Sequence, residues 1–185
     1  MGHVTPTSIQ TASGIFFDVA DPRPADIRIE DIAASLSKQC RFSGHTSSFY
    51  SVAQHSLAVC DLLRVQGYAE CIQRLGLLHD ASEAYLVDLP SPVKNYTSLG
   101  VVYRALEAKV MRAICSKFGL PYAGIMPPAV EQADARCLAT EARDLMPDDS
   151  WCTRQPCPEK IEPWSSDAAE TIFLWRFGRL FGGIS

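Results

Sequence analysis

An apolar run ends in two ionisable side chains, and two more follow shortly after. Leu75-Gly76-Leu77-Leu78 leads into His79-Asp80-Ala81-Ser82-Glu83, and Asp88 stands directly before Leu89-Pro90-Ser91-Pro92. Read as one helix over 69–84, the stretch places His79 and Glu83 on a common face, because residues four apart share it. Asp80 is the next residue and can turn into the same cleft. Burying so many ionisable groups costs free energy unless something offsets their desolvation, and a bound metal is the usual offset. His55, among Val52, Val59, Leu62 and Leu63, and Asp134, on a later helix, complete a set of four. Two imidazoles and two carboxylates suit a borderline divalent ion such as Zn²⁺, Mn²⁺, Co²⁺ or Fe²⁺. Such an ion acidifies a bound water and polarises a phosphoryl oxygen. Spacing alone does not bring His55 and Asp134 to His79.

These residues need rigid elements to hold them. The first trustworthy helix is 29–38, with Ile29, Ile32, Ala33 and Leu36 on one face. Residues 39–51 hold Arg41, Phe42, Gly44, His45 and four serines and read as a loop, the kind of segment where binding groups concentrate. A helix over 52–65 follows, capped by Ser51, then the helix 69–84, a Pro-rich connection over 86–96 that carries Lys94, and a long helix over 99–118. Pro127-Pro128 opens another helix to about Met146, where Glu131 and Asp144 compete with Asp134 as the useful carboxylate. A loop over 147–163 with four prolines precedes a last helix to about Phe181. Before all of this, 15–19 reads as a strand that can pair with 8–11 in a short hairpin. The expected fold class is all-α, a single domain over 1–185 with about six helices, its motif core at 29–145 and its C-terminal helix at 165–181.

The chain has 185 residues, enough for one sizeable core. Its formal charge of −4 argues against a duplex DNA binder working by phosphate neutralisation, yet leaves room for a small anion held by local Arg or Lys. No basic segment followed by an apolar core opens the chain, and no apolar run approaches a membrane span. Seven cysteines without regular spacing suggest a reduced, cytoplasmic protein. Cys152 and Cys157 are a zinc half-site lacking a second half, or simply loop cysteines.

Each candidate has a plainer reading. A histidine on an apolar helix face is more often a hydrogen-bonded core residue, Asp80 can cap a turn, Asp88 can form one, and Glu83, Arg41 and Lys94 can be solvated charges. Trp164 can stack a base or pack the last helix; His3 carries no assigned role.

The order His55 … His79-Asp80 … Asp134 on successive helices resembles the HD-domain metal-dependent phosphohydrolases. His79-Asp80-Ala81-Ser82-Glu83, then Asp88-Leu89-Pro90-x-Pro92-x-Lys94, is similar to their bacterial 5′-deoxynucleotidase branch, whose phage relatives include deoxyadenosine-triphosphate triphosphohydrolases. Ser51-Val52-Ala53-Gln54-His55-Ser56 and Gln132-Ala133-Asp134 match the flanking ligand segments. The resemblance implies an HD-type helical bundle. It implies His55, His79, Asp80 and Asp134 as metal ligands for a divalent transition metal, with Mg²⁺ as a further candidate. It implies Glu83 as the residue acting on the attacking water and Asp88 as a carboxylate near the leaving oxygen or sugar hydroxyl. Arg41 would contact phosphate or sugar and Lys94 phosphate; Phe42 stands where the branch has Trp; His45 is a further candidate contact. The implied activity releases the nucleoside from a 2′-deoxynucleoside 5′-phosphate, leaving phosphate or triphosphate. The implied location is the cytoplasm, or a host's cytoplasm for a phage protein, and relatives form dimers or larger assemblies. Cyclic-nucleotide phosphodiesterase, alarmone hydrolase and a non-catalytic nucleotide-binding module are the competing readings.

Overall fold

A computed structural model of the chain describes residues 4–182; His3 lies outside them. Helices dominate. Among the described residues the order is β1 (Ser8–Gln10), β2 (Phe16–Asp18), a 3₁₀ turn (Pro24–Asp26), α1 (Ile29–Leu36), a second such turn (Arg41–Gly44), α2 (Val52–Val65), α3 (Glu70–Leu77), α4 (Glu83–Leu86), α5 (Ser91–Tyr96), α6 (Leu99–Lys117), α7 (Pro128–Leu145) and α8 (Ser166–Phe181). Eight α-helices therefore stand where about six were expected. The extra two, α4 and α5, are short. One comes from a break in the expected 69–84 helix, the other from the Pro-rich connection.

The break has a local cause. His79 Nδ1 donates to the Gly76 carbonyl at 2.8 Å. A continuing helix would offer that carbonyl to the amide of Asp80, so the imidazole competes with the backbone for it. The chain instead runs through tight turns, with Ala81 N donating to Leu78 O and Glu83 N to Asp80 O. His79 and Asp80 thus sit on a turn, and Glu83 opens the next helix; the expected shared helix face does not exist.

α2 is the central element. Ser51 caps it, accepting from the Gln54 amide at 3.1 Å, and it packs against α1, α3, α7 and α8. Its interior holds Val52, Ala53, Leu57, Val59, Cys60 and Leu63. α3 lies tightly against it: a Cβ at Gly76 would meet the tip of the Leu63 side chain and force it to shift. α8 turns Phe173, Phe177 and Leu180 inward, each aromatic contributing roughly 1.5–3 kcal/mol by burial. Its apolar face is thereby used within the chain. Trp164 packs half-buried against the core.

The hairpin braces the site region from outside. β1 and β2 pair antiparallel with Ile9 opposite Phe17, and the buried Phe17 ring stacks on Tyr85 of α4 at 4.0 Å. The buried Asp31 of α1 accepts from Ser13 N at 2.7 Å and from Ser13 Oγ at 2.8 Å. α5 lies on α6 at Gly100, where a Cβ would collide with the Lys94 carbonyl. No helix among the described residues is long and apolar enough to cross a membrane.

Candidate metal centre

Three elements deliver the candidate ligands: α2 presents His55, the turn after α3 presents His79 and Asp80, and α7 presents Asp134. His55 Nε2 lies 3.2 Å from His79 Nε2, 3.5 Å from Asp80 Oδ2 and 3.1 Å from Asp134 Oδ1. His79 Nε2 lies 3.1 Å from Asp80 Oδ2 and 3.9 Å from Asp134 Oδ1. An ion at about 2.0–2.1 Å from its ligands spaces neighbouring donors about 3–3.4 Å apart. His55, His79 and Asp80 are thus brought close to that spacing and form a group able to hold a metal ion, with Asp134 Oδ1 approaching His55 Nε2 at 3.1 Å.

The tautomers agree with that capacity. A carbonyl only accepts, so His79 Nδ1 carries the proton it gives to Gly76 O. His55 Nδ1 donates to Glu141 Oε1 at 2.5 Å. When neutral, both rings therefore aim lone pairs at each other from Nε2, which a cation between them relieves. The charge balance points the same way. Burial and Arg41 act to lower the His55 pKa, but Glu141 and Asp134 outweigh them and hold it up, to about 9. His79 is likewise raised, its burial offset by Asp80. Asp80 and Asp134 are lowered by these imidazoles against the opposing effect of burial.

Glu141 is the residue the sequence did not single out. It is fully buried on α7 and serves two partners. Oε1 accepts from His55, while Oε2 accepts from Arg41 Nε at 3.2 Å. Burial would raise its pKa, but Arg41 and then His55 keep it ionised. Carboxylates behind metal-binding histidines fix the ring's orientation and tautomer in this manner. The available signal was its helical spacing: Glu141 lies seven residues after Asp134, two turns along one face.

Arg41 reaches the centre from the loop before α2. Its Nη1 is 3.9 Å from both Asp80 Oδ2 and Asp88 Oδ2. The loop is closed at its base by an antiparallel bridge between Cys40 and Ser51, with Arg41 N donating to Tyr50 O at 2.9 Å and Val52 N to Gln39 O at 3.0 Å. Phe42 and Ser43 both take positive φ, 54° and 53°, unusual for residues with a Cβ. The Phe42 ring lies 5.8 Å from the Arg41 Cζ and meets Trp151 edge-on at 6.3 Å. His45 is exposed at the loop's tip, and among the described residues no hydrogen bond or ion pair joins its side chain to the centre.

Glu83 and Asp88 flank the centre on the side of Arg41. Gln39 positions both: its amide nitrogen donates to Glu83 O at 3.0 Å, and its oxygen accepts from Asp88 N at 3.0 Å. Glu83 is buried, and among the described residues nothing hydrogen-bonds its Oε2. Burial pushes this carboxyl well above the usual range, and Asp80 and Asp88 push it further. Burial raises Asp88 too, against Arg41. Between them Val87 holds φ 68° and ψ 158°, backbone that is essentially glycine territory. Two bonds hold it there: Val87 N donates to Glu83 O at 2.8 Å, and Tyr103 Oη donates to Val87 O at 2.5 Å.

On the other side of His79, Asp80 and Asp134 opens a cavity of about 380 Å³, walled by Met111, Tyr122 and Met126. Lys94 lines it but is not free: its Nζ lies 2.5 Å from Glu107 Oε1. The expected phosphate contact is thus occupied by a carboxylate.

No protein-family model matches the chain. It is 40% identical over 178 residues to the uncharacterized protein YfdR of Escherichia coli K12, covering 93% of this chain and 94% of the relative. It is also 39% identical over 135 residues to an uncharacterized protein of Rhodobacter capsulatus, covering 71% of this chain and 67% of that one. The identity runs through nearly all of both chains in the first comparison, and the chain belongs to the same family as YfdR.

Proposed function

We propose that this chain is an HD-type metal-dependent phosphohydrolase acting at the α-phosphorus of (2′-deoxy)nucleoside 5′-phosphates. The observation that carries this reading is the convergence of His55, His79, Asp80 and Asp134 from three elements, with His55 and His79 Nε2 3.2 Å apart. His55, His79 and Asp80 offer donors close enough to share one ion, and Asp134 Oδ1 is 3.1 Å from His55 Nε2. The orphaned Glu83 Oε2 beside them adds a buried group in need of a partner.

A divalent ion held there, of the Co²⁺, Mn²⁺, Zn²⁺ or Fe²⁺ type, supplies Lewis acidity toward a phosphoryl oxygen and acidifies water. The remaining work falls to the chain. Arg41 presents a fixed guanidinium whose charge opposes that developing on the phosphoryl oxygens. Glu141 holds it in place from behind. Glu83, buried with its carboxyl pKa raised, is placed to take or return a proton. Asp88, also raised but less enclosed, sits 3.9 Å from Arg41 and can protonate a leaving 5′ oxygen or hold a sugar hydroxyl. The cavity beyond Asp134, with Arg104 and Lys94 in its wall, gives room for part of an anionic substrate beside the centre.

The test is product analysis after incubation with dAMP and with dATP, each with Co²⁺, Mn²⁺, Mg²⁺ or Zn²⁺. Release of deoxyadenosine with orthophosphate or with intact triphosphate is the expected result. Absence of nucleoside from any 5′-nucleotide, or full turnover by Asp80→Ala, overturns the reading.

A further inference from the structure

A strap of chain over 157–164 joins α7 to α2, and it is tied down at each end. On α7, Cys157 N donates to Thr140 Oγ1 at 2.8 Å, Arg143 Nη2 donates to Glu159 O at 2.9 Å, and Ile161 N donates to Asp144 Oδ2 at 2.8 Å. On α2, the buried Gln54 holds the other end. Its Nε2 donates to Glu162 O at 2.8 Å, and its Oε1 accepts from Trp164 N at 2.9 Å. These polar backbone groups of the strap are spent on the two helices. Between the strap, α2 and α7 lies a hollow of about 510 Å³ whose apolar wall includes Leu57, Ala58, Leu62, Ile161 and Trp164. It shares no lining residue with the cavity at the metal centre.

We propose that this hollow is a binding site for a small organic amine, an apolar body that carries a protonated amino group. Its volume, and apolar walls with a few polar groups among them, are what small-molecule sites have in common. The charged residues among the lining choose the sign of the ligand. They are Asp61, Glu159, Lys160 and Glu162. Asp61 is already engaged, by Arg64 at 3.1 Å and by Arg176 at 2.8 Å. Glu159 and Glu162 are exposed, and among the described residues neither carboxylate enters a hydrogen bond or an ion pair. Two unpaired carboxylates against one lysine favour a cation. The half-buried Trp164 adds an aromatic ring, a surface that attracts ammonium groups.

The two parts of such a ligand do different work. Its apolar body supplies affinity through the area it removes from water, and its charge supplies selection. An anion of the same size meets two like charges, and an uncharged molecule leaves both carboxylates unused. The site is independent of the hydrolase reading, because it contains none of the candidate metal ligands and its free charges disfavour a nucleotide.

The experiment titrates the full chain by calorimetry with octylamine and, as an anion of matched length, with octanoate. Octylamine should bind saturably at one site, about tenfold tighter than octanoate, and should raise the melting temperature as its concentration rises. Replacing both exposed carboxylates, Glu159→Gln with Glu162→Gln, should weaken octylamine about fivefold and narrow its lead over octanoate. Ala58→Phe, which places a ring in the hollow, should remove binding while the chain still melts cooperatively. Uptake without saturation, octanoate bound as tightly as octylamine, or unchanged octylamine affinity in the double glutamine variant would overturn the proposal. So would octylamine binding that survives in a folded Ala58→Phe chain.

Discussion

Glu141 Oε1 stands 2.5 Å from His55 Nδ1, while its Oε2 accepts from Arg41 Nε at 3.2 Å. One buried carboxylate thus orients a candidate ligand and a candidate phosphate-binding cation together. Replacing it by Ala leaves Arg41 and His55 without their anchor. Glu141→Ala should lower Mn²⁺ or Zn²⁺ affinity by about 10–100-fold, and Glu141→Gln, which keeps an acceptor for His55 but loses the charge, by less. Titration calorimetry measures both; equal affinity in all three proteins removes Glu141 from the centre.

Val87 stores strain next to the site. Its φ of 68° and ψ of 158° cost a β-branched residue about 1–3 kcal/mol, while glycine gives up about 0.5–1 kcal/mol through its freer unfolded chain. Val87→Gly should therefore raise stability in urea by roughly 1 kcal/mol. If the strained peptide aims Asp88, the same variant should turn over nucleotide more slowly. A destabilised Val87→Gly would show that the backbone is comfortable with valine.

The pairing of Lys94 with Glu107 at 2.5 Å sets up a competition. A substrate phosphate reaching Lys94 must displace that carboxylate. Glu107→Gln weakens the incumbent by roughly 1 kcal/mol, and KM for a nucleotide should fall a few-fold with kcat nearly unchanged. Steady-state kinetics decide it, and an unaltered KM would leave Lys94 a structural residue of the α5–α6 contact.

The hairpin supplies a pH signature. Asp18 accepts from Thr7 Oγ1 and Thr5 Oγ1, each at 2.7 Å, and these bonds hold its carboxyl down at about 2. A folded pKa below the unfolded value, near 4, means its stabilisation is complete above pH 4 and fades as pH falls through 2. NMR titration of the side chain should give that midpoint, and Asp18→Asn should flatten the stability profile between pH 4 and 2. A midpoint near 4 in the folded protein would contradict the bonding.

Much of this was legible beforehand because it rests on local rules. The span of α2, its Ser51 cap and the start of α7 at Pro128 follow from apolar period and capping chemistry. The break after Leu77 was hidden, because nothing in the order of residues says that His79 will take the Gly76 carbonyl. The four candidate ligands were named in advance, but only packing brings α2 and α7 together around them. In sequence Glu141 is one helix charge among several; its role needs two partners, Arg41 and His55, that lie 100 and 86 residues away in the chain. Cys157 stands near Cys152 in sequence, while its backbone is bonded to Thr140 and Arg143 of α7.

The loop that carries Arg41 is tied off at its foot by the Cys40–Ser51 bridge and by the flanking bonds to Tyr50 and Gln39. Whatever happens at its crown, around His45, the foot keeps Arg41 and the start of α2 where they are. The crown is therefore an exchangeable cassette. Its length and side chains are open to change while Arg41 stays fixed at the foot.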